Sequence, residues 1–160
     1  MEFEKHLNRC LELATEARNE GHHPFGALLV LDGQVILEEK NTVSSKANFA
    51  EHAEMNLVLK AVSQWSDDAL RRSTLFSSTE PCPMCAGAIY WAGIKSVVFA
   101  LSSVRLGELC GSGDHFSCRE IFERSGRDFV KVQGPFLEAQ AEIVHQGFWV
   151  SRESLGETQS

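Results

Sequence analysis

Phe3, Leu7, Cys10, Leu11, Ala14 and Ala17 recur at three- and four-residue intervals, which places them on one stripe of an α-helix. Gly21 follows where a helix stop belongs, so the spacing predicts an opening amphipathic helix. The period then changes. Residues 27–31 and 34–39 read as short strands, and Asp32-Gly33 between them is a strong hairpin turn pair. Residues 51–62 carry Met55, Leu57, Val58, Leu59 and Val62 among good helix formers and read as helix, with a strand over 74–77 after them. Pro83 suits a first helical turn, where its missing N–H would have no partner anyway, and predicts a helix over 83–92. A buried strand over 96–101, a short helix over 117–124, a strand over 129–132 and a last helix over 137–150 complete the pattern. Residues 107–113 read as a loop, and 151–160 as a frayed tail. Helices interleaved with five strands imply an α/β fold in three layers, α/β/α, within one domain over 1–150.

Composition narrows the class. With 160 residues, 43% of them hydrophobic and 23% charged, the chain is long enough to bury a core without cross-links. Charged residues interrupt the N-terminal 18 residues, so they lack the apolar run of a signal peptide, and no stretch is apolar enough to span a membrane. Five cysteines, two of them spaced as Cys82-Pro83-Met84-Cys85, point to a reducing compartment and to metal binding more than to disulfides. A cytoplasmic protein is expected. Fifteen Lys plus Arg against twenty-two Asp plus Glu gives a formal net charge of -7, with no basic run longer than Arg71-Arg72. Proteins that hold nucleic acid concentrate positive charge to displace counterions from phosphates, so a small uncharged substrate fits better.

The candidate chemistry sits in two short segments. His52-Ala53-Glu54 opens one predicted helix, and Pro81-Cys82-Pro83-Met84-Cys85 opens the next. Zinc takes imidazole nitrogen and thiolate sulfur, and three protein ligands leave a fourth position for water. The positive end of a helix dipole favours thiolate at the paired cysteines. Glu54, two residues from His52, is then placed to move protons without ligating the metal. Taken alone, Cys-x-x-Cys also describes a redox pair or half of a structural zinc site. A structural site needs a fourth protein ligand, and Cys110, Cys118 and His115 form no second tight pairing. Cys10, Cys110 and Cys118 read as small buried apolar residues.

His-Ala-Glu followed about 30 residues later by Pro-Cys-x-x-Cys resembles the signature of zinc nucleobase deaminases. The longer run Thr79-Glu80-Pro81-Cys82-Pro83-Met84-Cys85-Ala86-Gly87-Ala88-Ile89-Tyr90-Trp91-Ala92 resembles the cytidine and deoxycytidylate deaminase superfamily, nearest the branch holding bacterial guanine deaminases, fungal cytosine deaminases and tRNA adenosine deaminases. The resemblance covers residues 24–101 well. It implies a cytidine deaminase-like fold with a central mixed five-stranded sheet, one Zn2+ per subunit on His52, Cys82 and Cys85, and a homodimer. It also implies Glu54 as proton carrier, Phe25 as a wall of the base pocket, Asn41 as a hydrogen-bond partner of the substrate ring, and Trp91 and the backbone around Ala53 as lining of the same cavity. Tyr90-Trp91-Ala92 and Gly113-Asp114-His115-Phe116 resemble the guanine deaminase form, which implies a role for Asp114 in proton transfer or in holding the substrate amine. Gly147-Phe148-Trp149 resembles the C-terminal aromatic cap of free-base deaminases, so Trp149 is expected over the base.

The reading is hydrolytic deamination of a free nucleobase, guanine first, with water as co-substrate. Cytosine or another base or nucleoside, an adenosine in tRNA, and a catalytically idle zinc-binding scaffold remain the alternatives. Arg152 is the only positive charge after Lys131, which disfavours tRNA, and Glu54 would be of no use to a scaffold.

Overall fold

The computed structural model describes residues 3–113, 115–126 and 129–149. Five strands form one sheet in the order β2-β1-β3-β4-β5: β1(Gly26–Leu31), β2(Gln34–Lys40), β3(Thr74–Thr79), β4(Ser96–Leu101) and β5(Lys131–Gln133). The hairpin partners β1 and β2 are antiparallel, as are β1 and β3, whereas β3, β4 and β5 run parallel. The sheet is therefore mixed. Its parallel half is covered on both faces, and β4 accordingly reads as an almost unbroken apolar run.

Alternation along the strands assigns the two faces. Ala27, Leu29, Leu75, Val97 and Phe99 pack against α2(Ala53–Gln64), α3(Asp67–Arg72), α4(Pro83–Ala92) and α6(Cys118–Arg124). Leu28, Val30, Phe76, Val98 and Ala100 point the other way, to α1(Glu4–Asn19), α5(Ser103–Cys110) and α7(Glu138–His145). The buried stripe of α1 is Leu7, Cys10, Leu11, Leu13, Ala14 and Ala17, and Gly21 takes the left-handed φ of 87° that a stop requires. The expected α/β/α layering is the observed one.

Two expectations need correction, and one helix lay outside the pattern. The stretch 107–113 is only partly loop, because α5 continues to Cys110 and the chain turns at Gly111, at φ 73°. Gly107 sits buried inside that helix, and its low helix propensity hid an element that Ser102 caps through Arg105 N–H. The last helix stops at His145 instead of 150, since Gly147 adopts φ 72° and turns the chain back. α3 is too short to show a period, although Ser66 caps it and Asp67, Asp68, Arg71 and Arg72 complement its dipole. The tail 151–160 lies outside the described residues.

Candidate metal and catalytic centre

The two sequence segments meet beyond the carboxyl end of β3. His52 is the extended residue before α2 (φ -66°, ψ 155°), and Cys82 is the extended residue before α4 (φ -67°, ψ 170°), with Pro83 opening the helix. His52 Nδ1 lies 3.6 Å from Cys82 Sγ and 3.6 Å from Cys85 Sγ, and the three donor atoms all lie within 4.8 Å of one another. A tetrahedral zinc with N at about 2.0 Å and S at about 2.3 Å separates nitrogen and sulfur donors by about 3.5 Å, so the donor set fits the ion in both chemistry and spacing. Among the described residues no other group of three such donors converges. Three protein donors leave one coordination position for a reacting molecule.

Glu54 stands beside this cluster, buried, in the first turn of α2. Ser77 Oγ donates to its Oε1 at 3.0 Å, while Oε2 faces Cys85 Sγ at 3.8 Å. One carboxylate oxygen is thus anchored and the other turned toward the metal donors. Burial, and then the charge of Cys82, push the Glu54 carboxyl above its ordinary value. The Cys82 thiol is pulled down to about 4, first by its hydrogen bond with Cys85 and further by His52, and Cys85 is pushed up by the same contact and by burial. His52 is raised, chiefly by Cys82. A thiolate at Cys82, at the N-terminus of α4, is what a zinc ligand requires.

Strand pairing carries further residues to the same edge. Ala27 pairs with Ser77, so Phe25, two residues earlier, lies toward Thr79 and the Cys82 loop. The Asn41 backbone N–H donates to the Phe25 carbonyl at 3.0 Å, and Asn41 Oδ1 accepts from Val43 N–H at 3.0 Å. The side chain is fully buried and its Nδ2 has no hydrogen-bond partner. Phe25 and Trp149 lie 6.3 Å apart, centroid to centroid, in a group with His23, His145 and Phe148. Ala53 is fully buried between His52 and Glu54.

Trp91 departs from its expected place. It is 83% exposed, edge-on to Tyr90 on the outer face of α4. Two residues past the buried Ile89 is about 200° around the helix, which turns it away from the core. It does not line the cavity within its own chain. Asp114 falls outside the described residues. His115 is exposed, with Nδ1 3.0 Å from the Gly113 carbonyl. Of the cysteines read as buried, Cys10 and Cys118 are, and Cys110 is only partly so.

Residues that the sequence reading passed over hold the centre together. Ser77 anchors Glu54. Glu80, next to the metal loop, accepts from Ser103 N–H at 3.0 Å and from Cys118 N–H at 2.9 Å, capping α5 and α6 at once. Asn56 donates to the Lys40 carbonyl at 3.1 Å and to Thr42 Oγ1 at 3.0 Å, tying α2 to the segment that delivers His52. The polar run Ser77-Ser78-Thr79-Glu80 closing an apolar strand was the available signal.

Residues 1–101 match the family described as the cytidine and deoxycytidylate deaminase zinc-binding region. The chain is 34% identical over 149 residues to a probable cytosine deaminase of Schizosaccharomyces pombe, covering 90% of each chain. It is 40% identical over 122 residues to a guanine deaminase of Bacillus subtilis, covering 76% of this chain and 78% of that one. A tRNA-specific adenosine deaminase 2 of Xenopus tropicalis is 34% identical over 150 residues, 89% of this chain and 86% of the relative. The fold superposes on a guanine deaminase from Nitrosomonas europaea with a TM-score of 0.75 at 24% identity, over 91% of this chain and 83% of that one. The donor set, the buried carboxylate beside it and these similarities agree: the chain belongs to the cytidine and deoxycytidylate deaminase family of zinc-dependent hydrolytic deaminases.

Proposed function

We propose that the substrate is a free nucleobase, guanine first, converted with water to xanthine and ammonia. The observation that carries the reading is the Asn41 amide: a fully buried donor, Nδ2, with no protein partner, on the residue hydrogen-bonded to Phe25, whose ring lies 6.3 Å from that of Trp149. A buried donor is rarely left unpaired, so Nδ2 is available for a ring nitrogen or carbonyl of a planar base. Phe25 and Trp149 supply flat apolar surface for that base. Guanine ranks first through the 40% identity to a guanine deaminase. Cytosine is the second reading, because the probable cytosine deaminase matches over more of the chain. The net charge of -7 weighs against a tRNA substrate.

His52, Cys82 and Cys85 would hold the zinc, which when bound lowers the pKa of water toward about 7. Glu54 takes the proton from the attacking water on Oε2, since Oε1 is engaged by Ser77. It delivers that proton to the ring nitrogen beside the amine-bearing carbon, then takes the proton of the added hydroxyl as the carbonyl forms and passes it to the departing amine, which leaves as ammonia. A carboxyl raised by burial exchanges protons with these groups more evenly than an ordinary carboxylate. Asn41 and the aromatic side chains orient the ring, and Asp114 is assigned to the amine or its proton.

We also expect a cytoplasmic homodimer. No disulfide joins the five cysteines, and no helix among the described residues is long and apolar enough to cross a membrane. Leu59 and Val62 on α2 and Trp91 on the adjoining α4 expose large apolar surface of the kind a second copy covers. Ammonia release by zinc-loaded protein from guanine, cytosine, adenine and their nucleosides tests the function, with Glu54→Ala in parallel. Turnover of guanine that falls about 10²- to 10⁴-fold in a zinc-retaining Glu54→Ala supports it. Inertness toward every free base would overturn it.

A further inference from the structure

His145 is the last residue of α7 and only 4% exposed, yet no acidic partner accompanies its imidazole among the bonds of the described residues. The helix ends there because the chain reverses at Gly147, and the reversal returns Trp149 onto the ring it has just passed. The two rings are nearly parallel, 11° between planes and 6.0 Å between centroids, and Trp149 Nε1 donates to His145 Nδ1 at 3.2 Å. The imidazole also tilts against Phe25 at 5.5 Å, so the three rings form a triangle. The turn itself is fastened from α1: Arg18 Nη1 donates to the Val144 carbonyl at 2.7 Å, and its guanidinium lies over Phe148 at 5.7 Å. Phe148 N–H donates to the His145 carbonyl at 3.1 Å.

We propose that His145 is a positioning residue that sets the aromatic wall of the base pocket by holding the Trp149 indole against Phe25. This rests on the reading that Phe25 and Trp149 flank the base. An indole N–H is a donor only, so it locks Trp149 in place only while Nδ1 of His145 is an acceptor, that is, a neutral imidazole carrying its proton on Nε2. The surroundings favour the neutral ring. Burial, and secondarily Arg18, draw the imidazole down to about 4, and the other titratable neighbour in the ring cluster is His23, 5.5 Å from Trp149. Pure packing would be satisfied by any ring of similar size. A positioning role needs the acceptor.

Two variants separate these possibilities. His145→Phe keeps a ring against Phe25 and removes the acceptor, whereas His145→Asn offers an amide oxygen near the place of Nδ1 and gives up the ring. For the base turned over by the wild type, His145→Phe is expected to raise KM about tenfold with kcat and zinc content within about twofold, and His145→Asn to recover most of that loss. Trp149→Phe removes the donor and should raise KM similarly, and the double variant with His145→Phe should add nothing further. A second readout needs no substrate. The Trp149 indole N–H resonance, assigned by its absence in Trp149→Phe, should shift and exchange at least about tenfold faster in His145→Phe but stay protected in His145→Asn. An unchanged indole in His145→Phe, an unchanged KM, or equal losses of kcat and zinc in both variants would overturn the proposal. Wild-type inertness toward all free bases, with the indole responding as expected, would overturn the base-pocket reading alone.

Discussion

Replacing Glu80 by alanine removes two hydrogen bonds that a single carboxylate makes to the first N–H groups of two helices. Ser103 N–H, 3.0 Å from Oε2, begins α5, and Cys118 N–H, 2.9 Å from Oε1, begins α6. α6 has no side-chain cap of its own, so Glu80 supplies what Ser117 does not. Cys118 is fully buried, and its orphaned N–H should cost about 2 kcal/mol, while Ser103, partly open to water, should cost about 1. The expected loss is therefore about 3 kcal/mol, or roughly 6–12 °C in Tm for a chain of this size. Glu80→Gln keeps one acceptor and opposes a donor to the other N–H, so about half the loss should remain. Urea unfolding of zinc-loaded protein reads both variants, with m unchanged if only the native state is weakened. An alanine cost below about 1 kcal/mol would refute the idea that this carboxylate holds the two helices to the metal loop.

Further consequences follow from other residues. Because His145 is lowered to about 4 in the folded state against about 6.5 unfolded, the unfolded chain binds the extra proton between those values. Its contribution is full above about pH 6.5 and lost as pH falls toward 4, by about 1.4 kcal/mol per pH unit and about 3 in all; stability measured across that window should show this slope in wild type minus His145→Asn. Cys85→Ala should bind less than about a tenth of the wild-type zinc at equal free metal, read by metal analysis, and should lose the rise in Tm that zinc gives the parent. Gly26→Ala places a Cβ 2.4 Å from the Cys10 carbonyl and 2.5 Å from Leu13 Cβ, both on α1, and should cost about 3 kcal/mol or more by chemical unfolding.

Periodicity exposed α1, an apolar run exposed β4, and the local signals Asp32-Gly33 and Pro83 exposed the β1–β2 hairpin and α4, all with near-identical bounds in sequence and structure. It failed where packing or length overrode it. α3 has six residues, less than two turns, and α5 carries Gly107 in its interior because the site is buried. The metal donors were legible because zinc demands fixed residue types at fixed local spacings. The residues that orient them were not, since Ser77 reaches Glu54 across 23 positions and Glu80 reaches Cys118 across 38. Only the packing of α2 and α6 on the sheet brings those partners together. Trp91 was placed in the cavity by resemblance alone, and its position on α4, two residues past the buried Ile89, turns it outward in its own chain.

The last four residues of the strand-to-loop passage, Ser77 to Glu80, explain how one backbone segment serves several purposes. Ser77 points to the α2 face and fixes Glu54, and Ser78 points to the opposite face and accepts from Gly26 N–H at 3.1 Å, which sets the start of β1 one residue after Phe25. Thr79 returns to the Ser77 face with its hydroxyl buried and unpaired. Glu80 then donates its N–H to the Leu101 carbonyl at 2.7 Å and extends its carboxylate to α5 and α6. Glu54, the start of β1 after Phe25 and the first turns of α5 and α6 are thus referred to the same stretch of chain that delivers Cys82. A shift in that stretch would displace all of them together, whereas the turn after His145 meets Phe25 through the Trp149 side chain. If Trp149 flanks the base as proposed, variants at Trp149 should change which base is accepted while leaving zinc content as it was.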